Sequence, residues 1–68
     1  MYKLKIDMFL REPIVLEFES EESRDRVWMN IYIELRDGRF FSLDSGCGHQ
    51  GLITINPAYV RAIEEVDE

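Results

Sequence analysis

The chain has 68 residues, a formal net charge of −6 and one cysteine, Cys47. This length predicts a single domain, residues 1–68, whose small core would gain stability from an oligomer or partner interface. One cysteine excludes an intrachain disulfide, and no apolar run is long enough to cross a membrane. We therefore expect a cytoplasmic protein without a membrane contact, and the excess of carboxylates disfavours binding to nucleic acid.

Two alternating stretches at the start of the chain predict a β-hairpin. Apolar and polar residues alternate up to Leu10, and the alternation resumes at Ile14 after Arg11, Glu12 and Pro13. Strict alternation is the period of a strand with one buried face. A hairpin would place the large apolar side chains on one face through these cross-strand pairs: Leu10 with Ile14, Met8 with Leu16, and Ile6 with Phe18.

The segment over residues 19–35 has two interpretations. Its first part is polar, and Ser20 followed by two glutamates predicts a helix N-terminus with one or two turns near residues 20–26. Residues 27–35 have the apolar spacing of either a helix or a strand, and their β-branched and aromatic content favours the strand. A helix over residues 21–35 is the alternative.

The dipeptide Asp37-Gly38 favours a second hairpin, because it stands between two alternating stretches. A loop of three residues, Arg36 to Gly38, gives the more consistent register, with the glycine in the left-handed conformation. This register places two pairs on the buried face: Ile33 with Phe41, and Ile31 with Leu43.

The same register places three aromatic side chains together on the opposite face of the hairpin: Trp28, Tyr32 and Phe40. Polar residues share this face, so it does not resemble an ordinary solvent surface. Either a second layer of the domain covers the aromatic side chains, or they form an interface with a second copy or another protein.

The C-terminal part of the chain predicts a loop, a strand and a turn. Residues 45–51 contain three glycines, which predict a loop. A strand over residues 52–56 ends at Asn56-Pro57, and residues 58–66 predict either a short helix or a turn followed by a strand. The pattern LITINPAYVRAIEE over residues 52–65 resembles the strand, Asn-Pro turn and strand of small bacterial and phage β-proteins, including the flagellar FlbD-like group. This resemblance covers about a fifth of the chain, favours the turn and strand, and transfers no site residue.

Cys47 and His49 form the chain's one cluster of reactive side chains. A tetrahedral zinc site needs four ligands, and a nucleophile and base need a fixed geometry with an oxyanion site. We therefore predict no metal site, no cofactor and no catalysis. A glycine loop does bring backbone N–H groups close to an anion, so a small-anion or nucleotide site is a second hypothesis. Its candidate residues are Arg36, Arg39, Gly46, Gly48 and His49.

These patterns predict a mainly β domain, an antiparallel meander or small barrel of five or six strands with one short helical turn. An α+β domain with the longer helix is the alternative. The function that we expect is that of a homo-oligomeric binding or regulatory protein that inhibits or adapts a protein partner. The size of the chain and its lack of catalytic chemistry suit an accessory protein encoded by a phage or a mobile element. A ligand-binding sponge is one alternative function, and a nucleic-acid-binding small β-barrel is another.

Overall fold

The computed structural model describes residues 1–44, 49 and 51–67. Within these residues the chain forms five strands and one α-helix: β1 (Tyr2–Met8), β2 (Ile14–Phe18), α1 (Glu21–Asp37), β3 (Phe41–Leu43), β4 (Ile53–Ile55) and β5 (Val60–Asp67). The strands form a three-stranded sheet in the order β2-β1-β5 and a two-stranded sheet of β3 and β4. All strand pairs are antiparallel. The prediction of a mainly β, antiparallel domain is confirmed, although these strands do not close into a barrel.

The first hairpin is present, in a register different from the predicted one. Ile6 lies opposite Ile14, whereas the sequence pattern predicted Ile6 opposite Phe18. The shift is an even number of residues, so the same apolar side chains still face the core. Pro13 has no N–H to donate to a ladder, and Leu10 lies in the resulting longer turn with a left-handed φ of 66°.

Strand β5 lies along the other edge of β1 and brings two carboxylates to the inner face of the sheet. Glu65 lies opposite the buried Leu4, and Asp67 lies opposite Tyr2. Residues directly opposite each other on paired strands share a face. The inner face is therefore apolar along most of its length and acidic at the end of β5.

Helix α1 has a defined start and a defined end. The Ser20 side-chain oxygen accepts a hydrogen bond from the N–H of Ser23 at 3.1 Å. At the other end, Gly38 adopts φ 70° and its N–H donates to the carbonyls of Glu34 and Leu35. The helix runs much further than the predicted turn near residues 20–26. The strand predicted over residues 27–35 is therefore wrong, and the alternative, a helix over residues 21–35, describes this segment.

The second predicted hairpin is also wrong. Gly38 does adopt the left-handed conformation, but it ends a helix instead of forming a hairpin loop. A helix C-terminus and a hairpin loop both favour a glycine with a positive φ, so the two roles look alike in the sequence. Phe41 and Leu43 therefore do not pair with residues 33 and 31. They pair with Ile55 and Ile53 of β4 instead.

The predicted turn followed by a strand after Asn56 is confirmed. The Asn56 side-chain oxygen accepts a hydrogen bond from the N–H of Ala58 at 3.0 Å, and a single 3-10 turn over Pro57–Tyr59 leads directly into β5. The predicted loop over residues 45–51 lies mostly outside the described residues. His49 and Gly51 are the two of its members that the structure describes.

One hydrophobic core joins the sheet, α1 and the β3–β4 pair. Its buried members are Leu4, Ile6, Ile14, Leu16, Phe18, Ile31, Phe41, Leu43 and Ile55. Among the described residues of α1, Ile31 and Arg24 are buried. Within the described part of the chain, no helix has the length and apolar character needed to cross a lipid bilayer.

Candidate functional site

A groove of about 450 Å³ runs between one side of α1 and the end of β5. Five of its six lining residues lie at helical spacings on α1, so they form one stripe along the helix. The sixth residue comes from β5. We name this feature the α1–β5 groove, and its lining residues are Glu21, Asp25, Trp28, Met29, Tyr32 and Glu65.

The floor of the α1–β5 groove is aromatic and apolar. The rings of Trp28 and Tyr32 meet edge to face, with centroids 5.9 Å apart and planes at 76°. Trp28 is half-buried and packs against the core, whereas Tyr32 is 47% exposed and Met29 is 59% exposed. Edge-to-face geometry is a favourable arrangement for two aromatic rings, so the floor is held by its own packing and by the core.

The rim of the groove is acidic, and a buried arginine holds two of its carboxylates. Arg24 donates a hydrogen bond to Asp67. Its guanidinium nitrogens lie 3.3 Å from Glu65 and 3.5 Å from Asp25, and its carbon Cζ lies 5.4 Å from the centre of the Tyr2 ring. Three carboxylates thus surround one cation, and the cluster retains a net negative charge.

The environment of Arg24 favours its charged form. Burial alone would lower the pKa of Arg24, but the hydrogen bond to Asp67 and the attraction of Asp67, Glu65 and Asp25 outweigh burial and raise this pKa above its ordinary value. The arginine is therefore charged throughout the neutral range. The stability that this positive charge contributes is lost as the pH rises through the raised pKa.

The structure brings together two of the three aromatic residues predicted as an interface. Trp28 and Tyr32 line the same groove, although they do so one helical turn apart and not on a strand face. Phe40 lies between α1 and β3, is 64% exposed, and is not among the residues that line the groove. Met29 and the acidic rim were not predicted from the sequence; the helical spacing of this segment could have revealed the α1 members of the groove, but not Glu65.

The arginines predicted to bind an anion are paired with acidic neighbours. Arg39 donates two hydrogen bonds to Glu34, at 3.0 and 3.2 Å, and Arg36 lies 3.5 Å from Asp37. The hydrogen bonds to Glu34 are the main reason that the pKa of Arg39 is raised. The structure therefore gives these two arginines intramolecular partners for their charge.

His49 is the one described residue of the predicted loop site. Its N–H donates to the carbonyl of Asp44 at 3.0 Å, and its ring atom Nδ1 lies 3.0 Å from the carbonyl oxygen of Gly51. Gly46 and Gly48 lie outside the described residues. Over residues 1–44, 49 and 51–67, no three His, Cys, Asp or Glu side chains are arranged to hold a metal ion.

A second exposed apolar surface lies at the turn between β1 and β2. We name Phe9, Leu10 and Arg11 the turn tip. Leu10 is 97% exposed, and Phe9 is more than half exposed beside Tyr59. The N–H of Phe9 donates to the carbonyl of Tyr59 at 2.8 Å, which ties the turn to the segment before β5. The alternation predicted Leu10 in a strand, so this surface was not predicted.

Comparison of the chain with protein-family models, curated proteins and solved structures finds no match. In the part of the chain that the structure describes, the α1–β5 groove and the turn tip are the two exposed apolar surfaces from which a function can be inferred.

Proposed function

We propose that this domain is a binding protein of regulatory type that contacts a segment of another protein chain through the α1–β5 groove. The observation that carries the proposal is the edge-to-face pair of Trp28 and Tyr32, which the fold positions while leaving Tyr32 and Met29 about half exposed. Aromatic and methionine side chains of this kind are enriched in protein interfaces and dominate their binding energy.

The size and chemistry of the groove support a peptide segment as the ligand. A volume of about 450 Å³ is within the range of clefts that bury most of a bound ligand's surface. The floor offers apolar area to a partner, and the acidic rim offers direction and specificity. We further propose that the protein works inside the cell and acts by occupying or adapting its partner, without a chemical step of its own.

A peptide-display selection tests this proposal directly. Random peptides are selected on the intact domain and then measured against three variants. Tyr32→Ser and Met29→Ser remove exposed apolar surface from the groove, and Phe40→Ser is the matched control, because it removes a similar exposed aromatic ring outside the groove. We expect the groove variants to weaken binding about tenfold or more while the control stays close to the parent.

Each variant is first checked for an unchanged circular dichroism spectrum and melting temperature. This check separates a lost contact from a lost fold. Selected peptides that bind the Tyr32→Ser and Met29→Ser variants as tightly as the parent would overturn the proposal, as would a selection that yields no binder.

A further inference from the structure

Leu10 is unusual for a leucine in both its backbone conformation and its exposure. It is the one non-glycine residue with a positive φ among the described residues, at 66°, and it is 97% exposed. An L-residue with a β-carbon is disfavoured in this region, where glycine or asparagine is ordinarily found. Strained conformations of this kind are concentrated at binding and switching sites, so Leu10 is a candidate contact residue.

Arg11 adds a positive charge to the turn tip. It is exposed, and within the described ranges no carboxylate lies in ion-pair distance of its guanidinium. The turn tip thus combines exposed apolar side chains with one cation that forms no ion pair among the described residues. The α1–β5 groove combines an apolar floor with an excess of carboxylates. Both surfaces offer apolar area, and their charges are opposite in sign, so the two surfaces are complementary.

The two surfaces lie at opposite ends of the central strand. The start of β1 lies beside the groove, because Tyr2 pairs with Asp67 and stacks under Arg24. The other end of β1, Met8, leads directly into the turn tip. Seven residues of strand span roughly 20 Å at about 3.3 Å per residue. The turn tip is therefore remote from the groove of its own chain, whereas it is free to reach the groove of a second copy.

We propose that the turn tip of one copy binds the α1–β5 groove of a second copy, head to tail. Phe9 and Leu10 cover the Trp28, Met29 and Tyr32 floor, and the Arg11 guanidinium meets the acidic rim beside Glu21. This inference rests on the proposed function of the groove and names its occupant. Because the two contacting surfaces differ, the contact is heterologous and generates rings or open chains of copies.

The first experiment measures self-association of the full chain by light scattering over a range of concentrations. Fluorescence is recorded in parallel, because Trp28 is the only tryptophan and lies in the groove. Leu10→Asn tests the turn tip, since asparagine tolerates a positive φ. Leu52→Asn is the matched control, because Leu52 is 74% exposed and lines neither surface. We expect Leu10→Asn to weaken association about tenfold or more and the control to leave it unchanged.

The second experiment reverses charge on each surface and then combines the variants. Arg11→Glu and Glu21→Arg are each expected to weaken self-association roughly tenfold. A mixture of the two variants is expected to associate again, because the acidic tip of one then meets the basic groove of the other. Glu22→Arg is the matched control, since Glu22 is adjacent to Glu21 and does not line the groove.

Three results would overturn the inference. The first is a chain that stays monomeric, with unchanged Trp28 emission, up to millimolar concentration. The second is self-association that Leu10→Asn and Arg11→Glu leave unchanged. The third is a mixture of charge variants that does not associate again. Each of these results leaves the proposed function standing if display peptides still require Tyr32, and the occupant of the groove is then a foreign protein. Loss of that peptide requirement is the separate failure of the proposed function.

Discussion

Ile31 and Met29 are two residues apart in sequence, and truncating each to alanine distinguishes a helix from a strand at this segment. On a strand both side chains would lie on one face. On α1 they are separated by about 200° around the helix axis. The structure accordingly buries Ile31 in the core and leaves Met29 largely exposed beside the groove. We expect Ile31→Ala to destabilise the domain strongly and Met29→Ala to have a small effect.

The magnitude of the Ile31→Ala effect follows from the atoms removed. The substitution deletes three buried carbon atoms, which corresponds to about 2.4 kcal/mol at about 0.8 kcal/mol for each. The cavity that remains raises the cost into the range of about 2–5 kcal/mol. The higher helix propensity of alanine offsets only a few tenths of a kcal/mol. A domain of this size has roughly 3–5 kcal/mol in total, so the variant loses a large part of its stability.

Urea unfolding monitored by circular dichroism and by Trp28 fluorescence measures both variants. Met29→Ala is expected within about 1 kcal/mol of the parent, because a largely exposed side chain loses little on truncation. Equal losses in the two variants would refute the helical placement. So would an Ile31→Ala variant with the stability of the parent.

Three further predictions concern the ends of α1 and the charge beneath it. Ser20→Ala is expected to lower the free energy of unfolding by about 1 kcal/mol in a urea melt, because the N–H of Ser23 loses its acceptor. Gly38→Ala is expected to cost about 1 kcal/mol or more by the same assay, since alanine is strained at a φ of 70°. Glu65→Gln combined with Asp67→Asn is expected to lower the melting temperature more than a control pair on the outer face, Glu17→Gln with Glu64→Gln. Only the first pair removes charged partners of the buried Arg24, two of its three carboxylates.

The first hairpin was predictable from sequence because one physical signal specified it. Alternation assigns each side chain to a face, and that assignment survives any even shift of register. The exact pairing was not predictable. The pairing depends on how many residues form the turn. The alternation includes Leu10, which the structure places in the turn and not in a strand.

The segment around Trp28 was predicted wrongly because two signals of comparable strength disagree there. Its β-branched and aromatic residues favour a strand, yet intrinsic β-propensity depends strongly on context. Ser20 and Gly38 favour a helix when they are considered as a pair, since they provide a start and a stop at a separation typical of globular helices. Considered alone, Gly38 is equally suited to a hairpin, so its local chemistry does not decide between the two.

The candidate site could be predicted only in part, because residue type is visible in the sequence and three-dimensional proximity is not. Tyr32 and Trp28 were identified by their residue type, because three aromatic residues near a small core need an explanation in either fold. The other residues that line the groove are brought beside these two by the packing of α1 against the sheet. Glu65 comes from a strand more than thirty residues away in sequence, and no local pattern places it beside α1.

Arg24 links the placement of α1 on the sheet to the chemistry of the groove. A buried guanidinium is unfavourable unless carboxylates face it, and on the inner face the structure supplies them at the end of β5. Sliding α1 along the sheet would separate Arg24 from these partners, so charge as well as apolar packing fixes the register of the helix. The same pairing holds Glu65 and Asp25 at the rim of the groove. Because three carboxylates share one guanidinium, the rim keeps its negative charge for a second cation, and Arg11 of another copy is the cation that we propose.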